Sequence, residues 1–324
     1  MKELFAGVDL GGTAVKAAIA DSDGTILTQD SIATHSHDGP NAVLKRIGEF
    51  LVDMSNRVSD GHGTLSGVGM GVPGLVDVQN GITKFLPNLT TQWRDVPVAD
   101  LLSDQLGCPI RLLNDVRTAT LGELHFGHGR DRPDITMVFI ALGTGVGGGL
   151  VIDGRLRLGP LGAAGELGHQ TILPQGPRCG CGSRGCLETL ASGPAIASEG
   201  SRLMQIGLAP TLHDLVDGQG DNVTTKAMSI AAEHDPAIRE AIVNAASYVG
   251  IAVANVITTL HPDMIVLGGG VAQFGRILLE TVRAVVADRV RMFPTESIAI
   301  EQSQLGEQAG VMGAVALARS PVVD

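Results

Sequence analysis

The densest set of reactive side chains in this 324-residue sequence is Glu166-Leu-Gly-His169, followed by Cys179-Gly-Cys181-Gly-Ser-Arg-Gly-Cys186-Leu-Glu188. One imidazole and three thiolates supply four ligands for tetrahedral Zn²⁺, and the interleaved glycines let a short loop wrap the ion. A fourth protein ligand leaves no position for water, so His169, Cys179, Cys181 and Cys186 imply a structural metal. The plain alternative is a set of free thiols with His169 on the surface. Cys108, alone before Pro109, reads as a buried apolar residue.

Two glycine turns carry a second kind of chemistry: Asp9-Leu-Gly11-Gly12-Thr13 with Lys16, and Gly143-Thr144-Gly145-Val-Gly-Gly-Gly149. Backbone N–H groups cradle phosphate oxygens only where no Cβ intervenes, Thr adds a hydroxyl, and Asp9 can hold a water of a Mg²⁺ shell. Either turn alone is equally an empty tight hairpin, but two at matching points of two half-chains favour a phosphate held between domains. Gly268-Gly269-Gly270 lies between an apolar run and a helix. It lacks the Gly-x-Gly-x-x-Gly spacing and the later acid of dinucleotide folds, which weakens a hydride-transfer reading.

Asn114-Asp115 ends an apolar strand. A carboxylate there can accept the proton of a hydroxyl attacking phosphorus, and it is also a good helix N-cap. Glu166 and Glu188 are expected to face the same cleft as Asp115 and to grip neighbouring hydroxyls of a sugar ring, preorganised by the metal loop. Glu188 can equally be the first-turn acid of a helix.

These groups need elements to position them. Leu4 to Leu10, Ala14 to Ala20 and Ile26 to Ile32 read as an antiparallel meander, and Val43, Ile47, Leu51, Met54 and Val58 as one face of a helix. The strand–glycine turn–strand grammar begins again at Ile135 to Leu142. Ala237 to Leu260 and Phe274 to Val290 read as helices flanking a strand at Met264 to Leu267. The outcome is a duplicated α/β fold, with a smaller domain over residues 1–120 and a larger one over 121–307 carrying the metal loop. A last helix, 308–319, packs back on the first domain.

Composition narrows the rest. The net charge of −11 opposes a phosphate-tracking nucleic-acid surface. The start lacks a signal peptide's apolar core, and the apolar run Ala241 to Leu260 is interrupted by Asn244, Ser247, Asn255 and Thr258. Clustered cysteines suit a reducing compartment, so a cytoplasmic protein without membrane or nucleic-acid partners is expected. Glycine is in excess, 44 residues, and its clusters read as places where backbone meets phosphate, metal or nucleotide. The single Trp93, shortly after Asn88, reads as lying near the mouth of the sugar site.

Together Asp9-Leu-Gly-Gly-Thr13, Gly71-Val-Pro-Gly74, Pro87-Asn88, Asn114-Asp115, Leu142 to Gly149, Glu166-x-Gly-His169, the cysteine loop with Glu188 and Gly268 to Gly270 resemble the ROK sugar kinases, most of all the family's bacterial glucokinases. That family lies within the actin-like (ribonuclease H-like) ATPases. The resemblance implies two duplicated domains closing over a cleft and ATP-dependent phosphorylation of a hexose at its 6-hydroxyl. Asp115 would be the base. Gly74, Asn88, Asn114, Glu166, His169 and Glu188 would bind the sugar. Asp9, Gly11, Gly12, Thr13, Lys16, Thr144, Gly145 and Gly268 to Gly270 would bind ATP with Mg²⁺. The resemblance also implies that His169 serves zinc and sugar with its two nitrogens, and that the protein is a homodimer or a higher homo-oligomer.

One departure stands out. The family usually continues Ala-Asn-Ala after Asn-Asp, whereas this chain has Val116-Arg117-Thr118, and a large Arg117 on the helix behind the base bears on sugar preference. Glucose is the expected substrate, with N-acetylmannosamine, N-acetylglucosamine or allose as alternatives. A sugar-sensing repressor of the same family would need a helix-turn-helix segment ahead of Asp9, where eight residues stand.

Overall fold

Small and branched apolar residues build the first sheet, where β1 (Leu4–Leu10), β2 (Ala14–Ala20) and β3 (Ile26–Ala33) run antiparallel. After α1 (Pro40–Val58), β4 (Leu65–Val72) pairs parallel to β1. The short strands β5 (Leu75–Asp77), β6 (Ile82–Phe85) and β7 (Arg94–Val96) make a separate three-stranded sheet. Then come α2 (Val98–Leu106), β8 (Ile110–Asn114), parallel to β4, and α3 (Asp115–Phe126). The computed structural model describes residues 3–58, 64–86, 89–160 and 162–320.

The second half begins with β9 (Met137–Leu142), β10 (Val146–Ile152) and β11 (Arg155–Arg157). Helices α4 (Glu188–Ala191), α5 (Gly193–Gln205), α6 (Pro210–Leu215), α7 (Thr225–Ala231) and α8 (Pro236–Leu260) follow, then β12 (Met264–Gly268), α9 (Arg276–Arg289), β13 (Ala299–Gln302) and α10 (Ala309–Arg319). The two five-stranded sheets have orders β3-β2-β1-β4-β8 and β11-β10-β9-β12-β13. Matching strand by strand, they carry the signature of an internal duplication.

The chain separates into two units, Met1–Asp134 with Gly149–Ala164 and Gln304–Asp324, and Ile135–Gly148 with Gly165–Ser303. The division falls after α3 and passes through β10 rather than lying at residue 120, because α3 and α10 are packed on each other and on the first sheet. One face of that sheet is covered by Val43, Ile47, Leu51 and Met54 of α1, with Leu102 of α2. On the other face Ala18 and Ala20 meet Val311 and Val315 of α10. This second layer accounts for glycines that lie outside the clusters expected to meet ligands. A Cβ on Gly7 would stand 2.5 Å from Val311 O, and α10 sits on bare strand backbone.

Trp93, expected near the mouth of the sugar site, belongs to the first core and is 1% exposed. The 25-residue α8 is long and apolar enough to cross a membrane by length and composition. Its buried face, from Ile238 to Ile257, packs against α5 and α9, which makes it a core helix.

Candidate active site

Parallel register brings the first set of polar groups to one sheet edge. Asp9 is opposite Gly71, and Val72 is opposite Asn114, so the carboxyl ends of β1, β4 and β8 lie side by side. Loops at such an edge are where α/β sheets place functional groups. Asn114, not Asp115, caps α3: its Oδ1 accepts from the amides of Val116 at 3.1 Å and Arg117 at 3.3 Å. Its Nδ2 donates to Gly74 O at 3.1 Å. Asp115, the first helical residue, accepts from Val116 N with Oδ1 at 2.8 Å.

Burial pushes the Asp115 carboxyl up to about 6, helped by the negative Asp9 nearby and opposed by the Val116 amide, Arg117 and Asn114. A carboxylate with this affinity is a stronger base than a solvated aspartate and is still ionised at neutral pH. Burial also raises Asp9, with Lys16 acting against it. The first turn of α10 stands close, since a Cβ on Gly310 would be 2.7 Å from Asp9 Oδ2. Lys16 Nζ pairs with Glu307 at 3.4 Å, both side chains exposed. Such a pair is worth little, so Lys16 is available to an anion. Gly11 and Gly12 form the hairpin, closed by Gly11 N to Ala14 O at 2.9 Å. Asn88 lies outside the described residues.

The second unit holds the cysteine cluster. The ligand atoms of His169, Cys179, Cys181 and Cys186 all lie within 4.8 Å of one another. His169 Nδ1 is 3.6 Å from Cys179 Sγ, and Cys181 Sγ is 3.7 Å from Cys186 Sγ. With Zn–S near 2.3 Å and Zn–N near 2.0–2.1 Å, the edges of a tetrahedral site are about 3.5–3.8 Å, so the donor set fits zinc. Gly185, at φ +64, has Leu173 O 1.6 Å from its Cβ position; only glycine lets the loop close there. Burial and the neighbouring sulfurs push the Cys186 thiol up to about 12. A divalent cation displaces that proton and turns the thiol into a ligand. His169 Nε2 points the other way and is 3.9 Å from Glu166 Oε2.

Glu188 has a position that its sequence context did not announce. Its Oε2 accepts from Val146 N at 3.0 Å, and its Oε1 is 3.9 Å from Cys179 Sγ. One carboxylate thus joins the cysteine loop to the Gly143–Gly145 turn. A Cβ on Gly145 would stand 2.6 Å from Glu188 Oε2. Gly145→Ala is therefore expected to push Glu188 off the Val146 amide and cost about 1–3 kcal/mol of stability, measurable by urea unfolding.

The glycine run divides in two. Gly143 to Gly145 is the turn, while Gly147 to Gly149 lie inside β10, where Gly148 and Gly149 serve packing: a Cβ on Gly148 would be 2.6 Å from Leu167 Cδ1, and one on Gly149 would run into Thr120 Oγ1. Gly268 is similarly filled by Phe139, and Gly269 lies on the Leu142 backbone at φ +85. Of that triplet, Gly270 opens on a cavity of about 540 Å³, lined also by Thr144, Pro194, Ala197, Thr224 and Thr225. Its size suits a nucleoside. Pro194, Thr224 and Thr225 come from helix starts distant in sequence and carried no motif.

Two like-ordered sheets, each with a glycine turn in its first hairpin, define the duplicated actin-like ATPase architecture. The chain belongs to the ROK family, whose family model matches residues 5–320. It is 36% identical over 323 residues to a glucokinase of Thermotoga maritima, covering 98% of this chain and 97% of that protein. The crystal structure of a ROK family glucokinase from Streptomyces griseus in complex with glucose and AMPPNP superposes with a TM-score of 0.80 at 34% identity, covering 98% and 99% of the two chains. A ROK family transcriptional regulator homologous to the E. coli MLC protein gives 0.84 at 28% identity, covering 97% of this chain and 77% of the regulator.

Proposed function

We propose that the protein is an ATP-dependent hexose kinase that phosphorylates the 6-hydroxyl of glucose. The observation that carries this reading is the buried Asp115 carboxylate at the β8–α3 junction, ionised at neutral pH and flanked by Asn114. The near-full-length likeness to glucokinases supports it. Asp115 accepts the proton of the 6-hydroxyl as that oxygen attacks the γ-phosphorus and the β–γ bridge oxygen leaves with ADP. Phosphoryl transfer of this kind is governed by positioning and charge stabilisation.

In this reading Gly74, Asn88, Asn114, Glu166, His169 and Glu188 hold the ring hydroxyls. The Gly11–Thr13 and Gly143–Gly145 turns take the phosphates, and the Thr144–Thr225 cavity takes the nucleoside. Asp9, a carboxylate disfavoured by burial, suits a Mg²⁺ ion, which supplies countercharge to the triphosphate. Zn²⁺ on His169 and the three cysteines supplies rigidity to the loop that carries Glu188. A cytoplasmic homodimer belongs to the same proposal.

The test is sugar-dependent ADP release across glucose, allose, N-acetylglucosamine and N-acetylmannosamine. Glucose is expected to give the highest kcat/KM. A higher value for an N-acetylhexosamine would overturn the choice of sugar, and no release with any sugar would overturn the kinase.

A further inference from the structure

Arg117, one residue beyond the Asp115–Val116 start of α3, does not point to solvent. It is 2% exposed on the first turn of α3. A guanidinium taken out of water must find acceptors. Arg117 Nη1 donates to Asn114 Oδ1 at 2.9 Å, and Nη2 donates to Ala164 O at 3.0 Å.

The consequence falls on Asn114. Its Oδ1 takes three donors: the amides of Val116 and Arg117 and the Arg117 guanidinium. That is the full capacity of a carbonyl oxygen, or more. Turning the amide over would set its NH₂ against those three donors and its oxygen against Gly74 O. The two backbone amides alone favour the observed rotamer; the guanidinium makes the alternative costlier still, because its Nη1–H would then face an NH₂ group instead of an acceptor. Asn114 therefore presents only its N–H face toward Gly74 and the Asp115 side of the junction.

We propose that Arg117 is a positioning residue of the sugar site: by holding Asn114 Oδ1 and Ala164 O together, it keeps Asn114 as a hydrogen-bond donor to a sugar hydroxyl beside Asp115. This rests on the reading that the β8–α3 junction binds the sugar. In this role Arg117 acts through Asn114.

The test is a double-mutant cycle on glucose affinity, measured by titration calorimetry without nucleotide, so that it is separate from turnover. Arg117→Met is expected to weaken glucose about tenfold and to leave the affinity for AMPPNP within about twofold. In an Asn114→Ala background the same replacement is expected to change glucose affinity by less than about twofold, because the group it orients is gone. Equal losses in the two backgrounds, or no loss in the first, overturn the proposal. If Arg117→Met does not fold, Arg117→Lys, which keeps the charge and cannot reach both acceptors in a planar fork, carries the same comparison. A wild-type protein that binds glucose without phosphorylating it sinks the kinase reading and leaves this inference standing; one that binds no sugar at all sinks the inference.

Discussion

Asp115→Asn is expected to lower kcat for glucose phosphorylation by about 10²–10⁴-fold while AMPPNP binds as before. The replacement keeps the size of the side chain and its acceptor for Val116 N–H, so α3 still starts at the same residue. It removes only the ability to take a proton. Retained turnover within about tenfold of wild type would exclude Asp115 as the base.

The same carboxyl sets the acid side of the pH profile. Its affinity is raised to about 6, chiefly by burial, so the group is ionised and competent above that pH and protonated below it. The kcat/KM of the free enzyme is expected to fall about tenfold per pH unit as pH drops through about 6. An acid limb near the 3.8 of a solvated aspartate would mean that the junction is wetter than its geometry indicates.

Removing the metal is the second large perturbation. The protein is expected to carry about one zinc per chain, and Cys186→Ala, at a side chain with no exposure, is expected to abolish that stoichiometry. Three thiols and an imidazole lie within 4.8 Å of one another around the place the ion would take. Without it, the loop loses the tie that holds Cys179 beside Glu188. Glu188 in turn holds the Val146 amide, so the damage should travel to the Gly143–Gly145 turn. Cys186→Ala is therefore expected to lower Tm by at least about 5 °C and to weaken AMPPNP binding in the absence of sugar. A zinc-free variant with unchanged Tm and unchanged nucleotide affinity would remove the metal from the structural account.

Much of the proposed site is legible in the sequence because its signals are local. Zinc ligation needs donor types at short spacing around glycines, and His169 to Cys186 satisfies that within one loop. The meander, the α1 face and the Asn114–Asp115 strand end follow from periods of two and of three to four residues, which neighbouring residues create. The duplication showed as a repeated grammar for the same reason.

Contacts between distant segments were not legible. Arg117 reads in sequence as a bulky group near the sugar, yet the acceptor that draws it inward, Ala164 O, lies 47 residues further along the chain. Glu188 is a proposed ring-hydroxyl binder, and that one of its oxygens also accepts from Val146 N–H depends on how the cysteine loop settles over β10. Trp93 followed a binding motif in sequence but filled the first core. The glycine excess divides along this line: spacing marked the turns at Gly11-Gly12 and Gly143 to Gly145, for which phosphate binding is proposed. Only tertiary packing explains Gly7 and Gly149, because a missing Cβ there makes room for α10 and for Thr120. Residue type and spacing thus settled which chemistry the chain carries, while the approach of helices and loops from far along the chain decided which atoms are held, and by what.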